Sequence, residues 1–210
     1  MRLICRGRWN TTVTKFGSCN EHRERVADLL QQTRRLNSVA ENLLLLSRAD
    51  TGRLALCATE FDLDKLLKGS LEDARILGAG SNLQIEASIP EPLPINGDRE
   101  MISLTVQNRV ENAVKYNRPG GKILVSAAKH DHVVQICVGN NGLEIPPERA
   151  PHVFERFYRA RGNEQTPGHG LGLSIARELA RAHGGDLTLI RSRPDWTEFC
   201  LRLSALSVLL

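Results

Sequence analysis

The stretch Asn108 to Asn117, reading Asn-Arg-Val-Glu-Asn-Ala-Val-Lys-Tyr-Asn, constrains this chain more than any other. Its asparagines Asn108 and Asn112 are four apart, and Lys115 follows three later. On a helix these three share one face. That face offers neutral amide oxygens and one ammonium. Amide oxygens suit a hard, hydrated Mg²⁺ that already carries phosphates, and a lysine one turn on neutralises phosphate as a point charge. Taken alone, the same face could be an ordinary solvated one.

Three further blocks follow in order. They are Asn140-Asn141-Gly142-Leu143-Glu144-Ile145-Pro146, Phe154-Glu155-Arg156-Phe157-Tyr158-Arg159 and Gly168-His169-Gly170-Leu171-Gly172-Leu173. Together with the first, these blocks resemble the N, G1, F and G2 boxes of bacterial two-component sensor histidine kinases, with a likeness to the heavy-metal-sensor branch. The resemblance runs over residues 23 to 203. It implies an α/β fold: a two-layer sandwich of a mixed, mostly antiparallel sheet and helices, as in Hsp90-type ATPases, preceded by a coiled-coil-like helix. It also implies ATP and Mg²⁺ as ligands and γ-phosphoryl transfer to a histidine.

The site residues carried over are these. Asn112 holds Mg²⁺ with Asn108 assisting, and Lys115 and Tyr116 contact phosphates or sugar. Asn140 and Gly142 read adenine, with Ile145 beside them. Gly168, Gly170, Leu171, Gly172 and Leu173 cradle phosphates at a helix start, where free N–H groups favour anions. Arg159 and Thr197 complete the set. A Rossmann reading of Gly168-x-Gly170-x-Gly172 fails, because no strand precedes it.

Four departures stand out against the family pattern. Asn140 replaces the usual Asp; its amide oxygen can still accept from an amine, and its NH₂ can donate to a ring nitrogen. Glu144 replaces the second Gly of its box. Trp196 stands where a Gly precedes Thr197. Arg109 replaces an apolar residue on the buried side of the central helix, so its guanidinium must snorkel or pair.

Composition bounds the rest. The 210 residues carry 28 Lys+Arg against 24 Asp+Glu, a mild net charge of +4 that gives no nucleic-acid surface. Cys5, Cys19, Cys57, Cys137 and Cys200 are scattered without a C-x-x-C pair, which fits a reducing compartment better than a zinc site or disulfide framework. No apolar run is long enough for a membrane span, so the expected location is cytoplasmic, although full-length relatives are anchored in the inner membrane.

Read in order, residues 1–20 form an atypical N-terminal segment. Residues 21–53 look like the second helix of a dimerisation hairpin. Its heptad seam is Val26, Leu29, Thr33, Leu36, Ala40, Leu43 and Ser47, which needs a partner helix and so implies a homodimer or heterodimer. Residues 54–210 are the ATP-binding domain. Within it the expected order is a connector to Glu60, a helix from Phe61 to Ile76, a strand Leu83–Ile89 broken by Pro90, Pro92 and Pro94, and a helix N-capped by Asp98. Strands Lys122–Ala128 and His132–Val138 come next, then a short helix carrying Phe154, Phe157 and Tyr158. The order closes with a lid at Ala160–Gly168, a helix Leu171–His183, and strands Asp186–Ile190 and Glu198–Leu203.

The phosphoacceptor box, a His followed by an acid and Arg-Thr-Pro, is not found; His22 is followed by Arg23-Glu24-Arg25. The expectation is therefore transfer only in trans, within a pathway ending at a response regulator. The alternatives are a catalytically degenerate nucleotide-binding or dimerisation module, and an ATPase that uses Glu111 as the base for water.

Overall fold

The computed structural model describes residues 19–159 and 168–204; the expected lid, Ala160–Gly168, apart from its last residue, the first eighteen residues and residues 205–210 lie outside them. Two compact units divide at Glu41/Asn42, and the boundary falls within α1 (Cys19–Asp50). In the first unit, Val26, Leu29, Leu30 and Leu36 are exposed along the helix. These include the large apolar members of the seam that this unit holds, Val26, Leu29 and Leu36.

In the second unit, α2 (Leu63–Gly78), α3 (Arg99–Lys115) and α4 (Gly172–Ala182) form one layer. The other layer is a five-stranded sheet in the order β2-β4-β5-β7-β6. Its strands are β2 (Gln84–Ser88), β4 (Lys122–His130), β5 (Val133–Asn140), β6 (Asp186–Arg193) and β7 (Trp196–Ser204). Only β2 and β4 run parallel; the other pairings are antiparallel. The mixed, mostly antiparallel two-layer sandwich is thus present.

Period two makes the sheet one-sided. Ile123, Val125 and Ala127 of β4 point into the core, as do Val134, Ile136 and Val138 of β5 and Phe199, Leu201 and Leu203 of β7. Leu63, Leu66, Leu67 and Leu71 of α2 and Ile102, Val106, Val110 and Ala113 of α3 meet them. All four residues of the expected α2 stripe are buried. Burial of this kind contributes about 25 cal/mol for each Å² of apolar surface removed from water.

Two strands depart from the expected order. β1 (Thr59–Asp62) lies where a connector and a helix start were expected, and it pairs antiparallel with β3 (Pro94–Gly97), within the stretch of prolines. Pro94 is tolerated because it opens an edge strand of a two-stranded sheet, where no ladder donor is needed. The helix expected around Phe154 is a short 3-10 turn, Ala150–Phe154, and Phe157 adopts a left-handed φ of 63°. The aromatic block therefore does not lie along one helix face.

Asp98 caps α3 as its sequence suggests. Its buried carboxylate accepts from Met101 N–H at 3.0 Å and from Cys57 N–H at 2.9 Å. His183 supports the same corner: Nε2 accepts from Asp98 N–H at 3.3 Å, so Nδ1 carries the proton given to the Leu179 carbonyl at 2.8 Å. Asp98→Ala strands two backbone donors at the start of the central helix. It is expected to lower stability by about 2–3 kcal/mol, read from the urea unfolding midpoint. A loss under about 0.5 kcal/mol would contradict this account of the cap.

Candidate functional site

Helix α3 has two chemical faces. Val106, Val110 and Ala113 seat it on the sheet, while Asn108, Asn112 and Lys115 turn toward the start of α4. The two are brought together by missing side chains. A Cβ on Gly172 would lie 2.9 Å from Asn108 Oδ1 and 3.7 Å from Asn112 Nδ2, and one on Gly168 would collide with Lys115 Nζ. Gly168 sits at φ 142° and Gly170 at φ 70°, which glycine alone adopts without strain. Gly170 accepts from Phe157 N–H at 3.0 Å, and a Cβ there would lie 2.7 Å from the Tyr158 carbonyl oxygen. The glycine run is thus pressed between the aromatic block and the amide face of α3.

Asn108 Nδ2 donates to the Leu104 carbonyl at 2.9 Å, which leaves its oxygen toward Gly172. Lys115 is held below its ordinary pKa, chiefly by burial and next by the nearby Arg159 guanidinium, against an opposing pull from Glu111. A cation destabilised in this way favours an incoming anion. Burial pushes the Tyr116 hydroxyl up, and Arg159 offsets part of that.

Beside this face opens a cavity. Of the expected site residues, Asn112, Tyr116, Asn140, Gly142, Ile145, Arg159, Leu173 and Thr197 line it. Asn108, Lys115, Gly168, Gly170, Leu171 and Gly172 do not; all but the buried Leu171 are drawn into the α3–α4 junction just described. The Asn140–Pro146 loop is fastened on both sides. Asn117 bridges Gly142, Arg118 N–H donates to the Asn141 carbonyl at 3.1 Å, and Asn141 Oδ1 accepts from Lys122 N–H at 2.7 Å. From the β6–β7 hairpin, Ser192 Oγ accepts from Ile145 N–H at 2.7 Å, and Thr197 Oγ1 donates to the Leu143 carbonyl at 3.2 Å.

Trp196, adjacent to Thr197 on β7, does not line the cavity. Alternation turns it to the other side of the sheet, where its indole covers Gly139. It therefore leaves the pocket unobstructed, although it stands in a glycine's place. Glu111, the base that a water-activating ATPase would need, is exposed and accepts from Gln107 Nε2 at 2.9 Å. It does not line the cavity.

Arg109, Phe199 and Tyr158 also line the cavity without having been counted among its residues. The signal for Phe199 was period two along β7 from Thr197. Arg109 was visible only as an anomaly. Its guanidinium is buried, lies 4.4 Å over the Phe199 ring, and donates to Asn140 Oδ1 at 3.1 Å and to the Val138 carbonyl at 3.4 Å. Its Nε–H has no partner among the described residues.

Comparison with known proteins bears on the family and the fold. Residues 97–206 match the family described as histidine kinase-, DNA gyrase B-, and HSP90-like ATPase. The chain belongs to this family. It is 35% identical over 176 residues to the signal transduction histidine-protein kinase AfsQ2 of Streptomyces coelicolor, covering 83% of this chain and 32% of that protein. It is 30% identical over 171 residues to BaeS of Escherichia coli, covering 80% of this chain and 37% of the relative. The chain thus spans about a third of the length of these curated relatives. Among solved structures, full-length ShkA in complex with AMPPNP matches with a TM-score of 0.77 at 25% identity, over 90% of this chain and 40% of that one.

Burial alone pulls Arg109 from its ordinary value down to about 9. Its unfolded-state pKa lies above about 12, so folding at neutral pH carries the cost of a buried cation. Between about pH 9 and 12 the folded chain sheds this proton while the unfolded chain keeps it, and the cost is relieved. Arg109→Met is therefore expected to stabilise the protein at pH 7 by about 1–2 kcal/mol. Thermal unfolding should show its advantage over the unsubstituted chain shrinking as pH rises past 9. An advantage that grows with pH would contradict this.

Proposed function

We propose that this chain is the ATP-binding catalytic part of a two-component sensor histidine kinase. It holds ATP with Mg²⁺ and delivers the γ-phosphoryl group to a histidine on another chain. The observation that carries the reading is the glycine run pressed onto Asn108, Asn112 and Lys115, beside a cavity floored by Asn140 and Gly142.

The donor set fits a nucleotide-borne Mg²⁺. Among the described residues no three His, Cys, Asp or Glu side chains gather to hold a metal. A cation here would have to bring phosphate oxygens with it, and Asn112 and Asn108 would add amide oxygens. Bound Mg²⁺ supplies charge neutralisation across the phosphates. Lys115 and Arg159 add fixed positive charge that needs no reorganisation during transfer. Tyr116, Ile145, Leu173 and Thr197 wall the base and sugar. An acceptor imidazole nitrogen then bonds to the γ-phosphorus as the bond to the β–γ bridging oxygen breaks, and ADP leaves.

The rest of the assembly is part of the same reading. The 21–53 helix pairs with a second copy or with a full-length kinase; exposed Val26, Leu29 and Leu36 support this, because such a stripe is stable only when covered. A response regulator receives the phosphoryl group downstream. No helix among the described residues is long and apolar enough to cross a membrane, in keeping with a catalytic part that works in the cytoplasm. The buried Arg109 beside Asn140 favours a second reading, a nucleotide-binding module without transfer.

Asn112→Ala removes the amide oxygen assigned to Mg²⁺. Titration with AMPPNP is expected to show binding by the unsubstituted chain that strengthens on adding Mg²⁺, and a variant that has lost this Mg²⁺ dependence and binds at least about tenfold more weakly. A folded, unsubstituted chain that binds no nucleotide would overturn the proposal.

A further inference from the structure

The floor of the cavity is built from a pair of side chains that determine each other. Arg109 reaches from α3 to Asn140 at the end of β5, with NH2 3.1 Å from Oδ1. A guanidinium has donors and no acceptor, so the amide atom facing it is the oxygen. The amide nitrogen is consequently turned the other way. It lies against Gly142, where an added Cβ would sit 2.5 Å from Nδ2. Asn140 is only 3% exposed, and its Nδ2 donates to no group among the described residues. At the same place Arg109 Nε–H is a buried donor without a partner among the described residues. Glu144 stands on the rim of the same cavity, where the family has a glycine.

The usual Asp at the Asn140 position presents only acceptors, which suit the amino group on C6 of adenine. Here the floor presents donors. A 6-amino group meets an N–H with another N–H, whereas a 6-oxo group accepts from it. At N1 the contrast repeats. A 6-oxopurine carries N1–H and can donate to the Glu144 carboxylate, whereas the unprotonated N1 of adenine can only accept. From this pairing we infer that the base subsite accepts a 6-oxopurine triphosphate, GTP or ITP, in addition to ATP, and binds it more tightly. Arg109 is the positioning residue, acting through the Asn140 amide. ATP retains the second lone pair of Oδ1 and so is weakened rather than excluded. The inference rests on the reading of Asn140 as the residue that meets the base.

ITP isolates the effect, since it differs from ATP only at C6 and N1. The experiment measures dissociation constants for Mg²⁺ complexes of ATP, ITP and GTP with the purified chain, with Arg109→Leu and with Asn140→Asp. Circular dichroism confirms that each variant is folded. ITP is expected to bind several-fold tighter than ATP. Arg109→Leu frees the amide to turn over, and the ITP-to-ATP preference should fall by about tenfold, roughly one hydrogen bond's worth. Asn140→Asp keeps Arg109 paired and removes the donor, so preference should pass to ATP. A merely structural Arg109 would weaken all three ligands together and leave their ratio unchanged, which would overturn the inference. ATP binding more tightly than ITP and GTP to the unsubstituted chain would overturn it while leaving the nucleotide site intact. Binding of none of the three would remove the nucleotide site itself, and this inference with it.

Discussion

The close approach of the Gly168–Gly172 segment to helix α3 is the contact on which the rest depends. Side chains at Gly168 and Gly172 would occupy the space taken by Lys115 Nζ and Asn108 Oδ1. With glycine there, the start of α4 lies directly against an amide-bearing helix face. Free N–H groups at a helix start, amide oxygens and a desolvated ammonium then converge within one turn of each helix. None of these groups is unusual alone. Their convergence is what the proposed nucleotide and Mg²⁺ site is built on.

The scaffold exists to hold that contact at fixed distance. α3 lies between α2 and α4, with the sheet beneath it, and its entry is fixed by Asp98 and His183. The Asn140–Pro146 loop would wander if left to itself. It is tied to α3 through Asn117 and Arg118 and to the β6–β7 hairpin through Ser192 and Thr197. The ties at Asn117 and Arg118 are made by backbone groups, those at Ser192 and Thr197 use the side-chain hydroxyls, and none of the four involves the Trp196 side chain. That is how Trp196 can take a glycine's place: its ring goes to the far side of the sheet while Thr197 keeps its bond to Leu143.

Much of this was legible in the sequence because it is local. The α2 stripe, the Asp98 cap, the alternation in β4 and β5 and the amide face of α3 are all readable within a few residues. What was not legible depends on distant partners. β1 and β3 are four-residue strands that pair with each other across more than thirty residues of chain, and Pro94 argues against a strand until one sees that it sits on an edge. The aromatic block suggested a helix, but the contact between Phe157 and Gly170 imposes a left-handed residue instead. Arg109 was recognisable as out of place, yet its partner is 31 residues away on another layer, and only the fold reveals that it turns the Asn140 amide.

The central claim, that this site transfers a γ-phosphoryl group to histidine, is tested most directly by supplying an acceptor histidine on a separate chain. The purified chain would be incubated with γ-labelled ATP, Mg²⁺ and a separate dimerisation domain that carries the acceptor histidine. The account predicts label on the added domain, labile to acid and stable to base, and absent when that histidine is replaced. Nucleotide binding without any labelled histidine, under conditions where an intact kinase labels the same domain, would contradict it.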